Sequence, residues 1–232
     1  MDTYHYLDSS NIQGAFAALN GQWYVCYHMP TPDASSSRCC WIDPISFDEN
    51  GFIPQIVPTS SGPKGHFRVG ETIQASGGVH YSGGRGDKRI VQRYEGELQR
   101  WWEDDFRFTD YPETWYSEAG QFIGYRYMEF TPDIRTFTVK ARTKSNGGVL
   151  KIYQGAQKGS DKDAPGDTMA QISKDGPTIL LATAHLPDTN NQYEVFTVPA
   201  AVTECGIHAF YVVLDTVPEK GNVYIDVMSF LQ

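Results

Sequence analysis

The chain contains no apolar run of about 18 residues, the length a helix needs to cross a bilayer, so no membrane-spanning helix is expected. It also lacks a basic run. Its 19 Lys and Arg stand against 28 Asp and Glu, a formal charge of −9. That balance works against phosphate backbones and anionic lipid, so neither nucleic acid nor a membrane surface is expected as a partner. Residues 1–10 (MDTYHYLDSS) have neither the basic start nor the apolar centre of a secretory signal. The expectation is a protein that stays inside the cell, or part of a longer one whose targeting segment lies elsewhere.

Cysteine is scarce: Cys26, Cys39, Cys40 and Cys205. The adjacent 39–40 pair and the lack of a second spaced pair match no zinc pattern. Cys26 bridging Cys39 or Cys40 across neighbouring strands and plain buried thiols both remain open. The six histidines share no ligand spacing; His28 and His208 sit in strand-like runs where a packed, hydrogen-bonded ring is usual. The glycines at 83, 84 and 86 precede neither a helix nor a Lys-Ser/Thr, which excludes a phosphate loop. No long segment carries a convincing 3.6-residue period.

What the chain does have is strand signal. It is 40% hydrophobic and 13% aromatic, enough to build a core. Short alternating runs of β-branched and aromatic residues lie between Gly, Pro, Asn and Asp clusters. Residues 136–142 (TFTVKAR) put Phe137, Val139 and Ala141 on one face and Thr138, Lys140 and Arg142 on the other. Residues 223–230 (VYIDVMSF) set Val223, Ile225 and Val227 against Tyr224, Asp226 and Met228. Further strands are expected at 22–27, 148–154, 192–198 and 207–214. Residues 58–70 (PTSSGPKGHFRVG) have the composition of a boundary. It would separate a unit of about four short strands, residues 1–68, from an all-β part, residues 69–232, whose strand candidates recur between turn signals as in a sandwich. Residues 157–167 read as a long polar loop.

Two sets of motifs carry a resemblance. Residues 13–16 (QGAF), 20–28 (NGQWYVCYH), Arg38, 45–51 (ISFDENG) and 58–62 (PTSSG) follow in the order found in the last blade of the five-bladed propeller of glycoside hydrolase family 43, which acts on xylans and arabinans. Residues 71–76 (ETIQAS), 123–130 (IGYRYMEF) and 147–153 (GGVLKIY) resemble carbohydrate-binding module family 6. That likeness continues at 193–198 (YEVFTV), 206–211 (GIHAFY) and 224–230 (YIDVMSF), so it covers most of residues 69–232. The resemblance implies a jelly-roll-like sandwich of two antiparallel sheets behind a single remnant blade. It binds polysaccharide or oligosaccharide at a loop-lined edge or on a concave face, and is secreted by family habit.

Catalysis is not expected of this chain alone. In the resembled hydrolases the catalytic carboxylates come from earlier blades, and Gln13 stands where the family's metal-binding histidine aligns. Two acidic clusters, 94–97 (YEGE) and 101–105 (WWEDD), are the alternative source of an acid–base pair, which must be held about 6.5–9.5 Å apart in an inverting enzyme. The bland reading for both is a solvated loop or a charged strand edge.

For binding, the resemblance places one aromatic on the loop before the IGYRY-like strand and one before the YEVF-like strand. Trp115, with Tyr116 or Tyr111, falls at the first position and Tyr193 at the second, with Asn191 and Asn222 as polar partners. The alternative is that Trp115 and Tyr193 pack like other core aromatics. Tyr224 stands where the family has Asn, as a further platform or an obstruction. Asp226 fits the C-terminal ligand of the family's structural calcium, but Ser76 replaces the expected glutamate. A sandwich that has lost sugar binding and serves protein contacts would also fit these two departures; it would show a flat apolar patch instead of an aromatic cleft.

Overall fold

The computed structural model describes residues 14–31, 34–54, 56–81, 91–93, 113–116, 118–143, 147–160, 179–216 and 222–232. Gln13, Tyr111 and both acidic clusters lie outside the described residues, and at Glu113 and Trp115 the backbone alone is described.

Three strands come first. β1 (Gly14–Leu19), β2 (Gln22–Thr31) and β3 (Ala34–Ile45) form an antiparallel sheet in sequence order. The β1–β2 turn is Asn20-Gly21, both at positive φ (50° and 81°). Asn-Gly suits a two-residue hairpin because both central residues must be left-handed. Phe16, Leu19 and Trp23 remain exposed on this sheet, with Phe16 at 58% and Trp23 at 43%.

The sandwich follows. One sheet runs β11 (Ile179–Leu186), β10 (Gly148–Gln157), β13 (Gly206–Thr216), β8 (Phe122–Phe130), β5 (His80–Tyr81). The other runs β12 (Glu194–Pro199), β9 (Thr136–Thr143), β14 (Val223–Leu231), β7 (Glu113–Tyr116), β6 (Val91–Arg93), with β4 (Ile73–Gln74) also pairing β14. Every pairing between these strands is antiparallel. Between the sheets lies a core that includes Phe130, Phe137, Phe210 and Phe230, with Phe230 edge-on to Phe130 and Phe210 at 5.3 and 5.4 Å.

In β9 the alternation places Phe137, Val139 and Ala141 fully inside, as expected. In β14 it breaks. A register shift between Ile225 and Val227 leaves Asp226 as a bulge residue. Beyond it the phase reverses, so Met228 is buried at 2% and Val227 moves to the outer face, the opposite of the simple alternation.

Residues 56–68 tie the first sheet to the sandwich. On the face of β8 and β13 turned away from the core, Phe122, Tyr127, Ala209, Tyr211 and Val213 form a second apolar cluster, against which Val57 packs. Ser60 N–H donates to Arg126 O, and Arg126 N–H donates to Ser60 Oγ at 3.0 Å. Phe67 then bonds Tyr127 O and Glu129 N–H along β8 at 2.7 and 2.9 Å. On the other side, the Asp43 carboxylate accepts Thr59 N–H (2.9 Å), the Thr59 hydroxyl (2.5 Å) and the Tyr27 hydroxyl (2.6 Å). Asp43 is 1% exposed. Burial pushes its carboxyl above the usual range, while the bonds from Thr59 and Tyr27 pull in the other direction.

The cysteines correct one expectation. Cys40 and Cys205 are exposed and Cys26 half-buried, all as free thiols. Across β2 and β3, Cys26 stands opposite Ile42, Cys39 opposite Met29 and Cys40 opposite His28, so no cysteine directly faces another.

Candidate functional site

The turn between β11 and β12 positions the first site residues. Asn190 and Asn191 both adopt left-handed φ (51° and 62°), a conformation Asn tolerates better than other side-chain-bearing residues. Asp188 Oδ1 accepts Asn190 N–H at 2.8 Å, closing the turn locally. Thr143 and Thr189 lock it to the end of β9. Thr143 N–H donates to Thr189 Oγ1 (3.0 Å), Thr189 N–H to Thr143 Oγ1 (3.1 Å), and the Thr143 hydroxyl to Pro187 O (2.6 Å). Asn191 N–H donates to Thr143 O at 3.0 Å. This latch delivers Asn191 and Tyr193 to the outer face of the β9 sheet beside Arg142.

Arg142 is the centre of the cluster. Its Nη1 donates to Asn191 Oδ1 at 2.8 Å. Its guanidinium carbon lies 4.2 Å from the Tyr224 ring centroid and 5.3 Å from that of Tyr193. Lys140, two residues earlier on the same face, places Nζ 5.1 Å from the Tyr193 ring. Such contacts are worth about 0.5–1 kcal/mol when exposed and more when desolvated. Lys140 Nζ also meets Asp226 Oδ2 at 2.6 Å, with the two side chains 41% and 24% exposed.

Register extends the cluster into a row. Arg142 pairs with Tyr224, and Tyr224 pairs with Trp115. The order across the sheet is therefore Tyr193, Arg142, Tyr224, Trp115. Three strand spacings make that row of backbone positions about 14 Å long.

Four of the expected residues, Tyr193, Asn191, Asn222 and Tyr224, come together here, and the backbone of Trp115 joins them. Asn222 Nδ2 donates to the Tyr224 hydroxyl at 3.3 Å. Tyr116 does not join. It is fully buried between the sheets and its hydroxyl donates to Val212 O at 3.2 Å, so its ring is out of a ligand's reach. Tyr224 is no open platform: Arg142 lies on its face and it is 6% exposed. Lys140 and Arg142 are the residues that sequence reasoning missed. The period-2 pattern had put both on the outer face, but nothing local linked them to Tyr193.

Asp226 does not fit a calcium site. Calcium takes six to eight oxygens from carboxylates, carbonyls and water, with carboxylates supplying most of the charge, whereas this carboxylate pairs with the Lys140 ammonium and the position of the resembled family's glutamate is Ser76. Among the described residues, no three His, Cys, Asp or Glu side chains gather as a metal site would require. No helix among them is long and apolar enough to cross a membrane.

The fold and this geometry can be set beside known proteins. A glycoside hydrolase family 43 arabinoxylan arabinofuranohydrolase from Bacillus subtilis superimposes with a TM-score of 0.55 at 16% identity, over 96% of this chain and 41% of its own. A β-1,3-glucan-binding family 6 carbohydrate-binding module from Bacillus halodurans gives 0.50 at 19% identity, over 72% of this chain and 99% of its own. In sequence, a xylosidase/arabinosidase from Thermoclostridium stercorarium is 40% identical over 52 residues, which is 22% of this chain and 11% of that protein. No family model matches. The chain thus has the fold of a family 6 carbohydrate-binding sandwich with a preceding antiparallel sheet. It spans about two fifths of the length of the similar arabinofuranohydrolase.

Proposed function

We infer that residues 69–232 are a non-catalytic carbohydrate-binding module that directs a family 43-type glycosidase to plant polysaccharide of the xylan or arabinan class, outside the cell. Residues 1–68 are then the last blade of that enzyme's propeller. The observation that carries this reading is Tyr193 standing beside Arg142 on the outer face of the β9 sheet, with Asn191 and Asn222 close by and the backbone of Trp115 in the same row. Sugars present flat C–H faces and a rim of hydroxyls, which rings and amides recognise together. One or two stacks at about 0.5–1.5 kcal/mol beyond buried area, with a few hydrogen bonds, give dissociation constants of roughly micromolar to millimolar. The edge site is favoured over the opposite face, because Val57 and the strand-like stretch after it already lie on the outer side of β8 and β13.

The test is calorimetric titration with soluble xylan, arabinan and β-glucan oligosaccharides, repeated with Tyr193→Ala and Trp115→Ala. Saturable binding that is lost in both variants supports the module. Binding to none of the three polymers refutes it.

A second reading, that the chain is part of an active xylosidase or arabinofuranosidase, is favoured by the exposed Phe16, Leu19 and Trp23. A blade normally hides such residues against its neighbours. This reading predicts no pentose release from arabinoxylan by the chain alone, and release once the remaining blades are supplied. Absence of release in both cases sinks it.

A further inference from the structure

We propose that Asp226 is a positioning residue of the sugar site: acting through Lys140, it holds the Tyr193 ring in the orientation that meets a sugar face. The inference rests on the carbohydrate reading above and deepens it, by naming what keeps the site's aromatic in place.

Tyr193 needs support from outside its own strand. It directly precedes β12, which among the described residues pairs with β9 alone, so the ring has a paired strand on one side only. It is half-buried, and Gln192 and Glu194 on either side of it are exposed. Two cations from β9 lie against the ring, Lys140 Nζ at 5.1 Å and the Arg142 guanidinium carbon at 5.3 Å from its centroid. A cation attracted to a ring face orients that ring only if the cation is itself held. Arg142 is held by Asn191 Oδ1 at 2.8 Å and by the Tyr224 ring. Lys140 is a flexible four-carbon stem, 41% exposed, and what holds it is the Asp226 carboxylate at 2.6 Å.

The bulge in β14 sets Asp226 in place for this. Ile225 pairs with Ala141, but the next pairing joins Val227 to Lys140, so Asp226 and Val227 together stand opposite Lys140. Ile225 and Met228 are buried at 0% and 2%, while Asp226 stays on the outer side with Lys140. As a stabiliser of the fold such a part-exposed pair is weak. Its consequence is order. With Lys140 clamped, less of the Tyr193 ring's freedom is left to be lost when a sugar stacks on it.

The experiment titrates the full chain with soluble xylan, arabinan and β-glucan oligosaccharides by calorimetry, beside a denaturant curve for each variant. Asp226→Asn is expected to weaken binding about three- to tenfold with the unfolding midpoint nearly unchanged. Asp226→Glu, which keeps a carboxylate for Lys140, is expected to retain most of the affinity. Lys140→Met keeps the stem without the charge and is expected to weaken binding as Asp226→Asn does. Adding Asp226→Asn to Lys140→Met is expected to cost nothing more, because Asp226 acts through Lys140. Asp215→Asn removes a comparable pair from the other sheet, Lys151 with Asp215 at 2.7 Å, and is expected to leave binding unchanged. Natural affinity in Asp226→Asn, or additive losses in the double variant, overturns this inference while leaving the carbohydrate module standing. Should Asp226→Asn fail to fold, natural affinity in Lys140→Met overturns it in the same way. No binding by the natural chain to any of the oligosaccharides overturns both.

Discussion

Replacing Asp43 by Ala should release the first sheet from the sandwich while leaving the proposed sugar site intact. The carboxylate accepts three hydrogen bonds, two from Thr59 and one from Tyr27. After truncation the Thr59 hydroxyl still reaches Gly62 O at 3.2 Å, but the buried Thr59 N–H loses its acceptor. The Tyr27 hydroxyl is half-buried and gains room for water. An orphaned buried donor costs about 1–3 kcal/mol. Adding the lost packing, and subtracting the relief of a carboxylate that burial disfavours, gives an expected cost of about 2–3 kcal/mol. It should be felt where Asp43 acts: in hydrogen exchange, residues 14–66 lose protection while β8–β14 keep theirs. Sugar titration should not change, because residues 56–68 lie against the β8–β13 sheet and the proposed site lies on the other.

Asp43→Asn keeps an oxygen for Thr59 and offers an N–H to the Tyr27 hydroxyl, so it should cost less than about 1 kcal/mol. The pH dependence supplies a sign. The folded carboxyl sits above its unfolded value, so the folded state takes up the proton more readily. Asp43 therefore contributes most at low pH, and that contribution fades as pH rises through the folded value. Relative to Asp43→Asn, the natural protein should gain stability as pH falls through the upper carboxylate range. Unchanged exchange over 14–66 in Asp43→Ala, or a loss of sugar binding with the fold intact, would refute the reasoning.

Other expectations follow from packing and chemistry. Phe230→Ala should cost about 3–5 kcal/mol in chemical denaturation, since the ring touches Phe130, Phe137 and Phe210 at the centre of the core. Gly147→Ala should be worse tolerated than an ordinary loop change: φ is +71° and a Cβ would lie 1.6 Å from Leu186 O, so the melting temperature should fall by several degrees. Adding EDTA should leave the melting temperature unchanged, because Lys140 already neutralises Asp226; a calcium-dependent rise would contradict that assignment. Thr189→Val should weaken sugar binding more than it weakens the fold, since the lost latch lets Asn191 and Tyr193 drift from Arg142. A titration beside a denaturant curve separates the two effects.

The all-β character, the division of β9 into an inner face and an outer one, and the surface position of Lys140 and Arg142 were all legible in the sequence. Each depends on period-2 alternation, a property of a strand by itself. The family motifs added the sandwich and drew attention to Tyr193, Asn191, Asn222 and Tyr224. Tertiary structure decided the rest. The bulge at Asp226 reversed the phase of β14, turning Met228 in and Val227 out. Of the neighbours Trp115 and Tyr116, pairing with β14 sent Tyr116 into the core. Arg142 found Asn191 across 49 positions of sequence because β9 lies beside β12 in one register and no other. Alternation is local and can be read from a few consecutive residues. Register belongs to two strands far apart in the chain, and only their packing fixes which side chains meet.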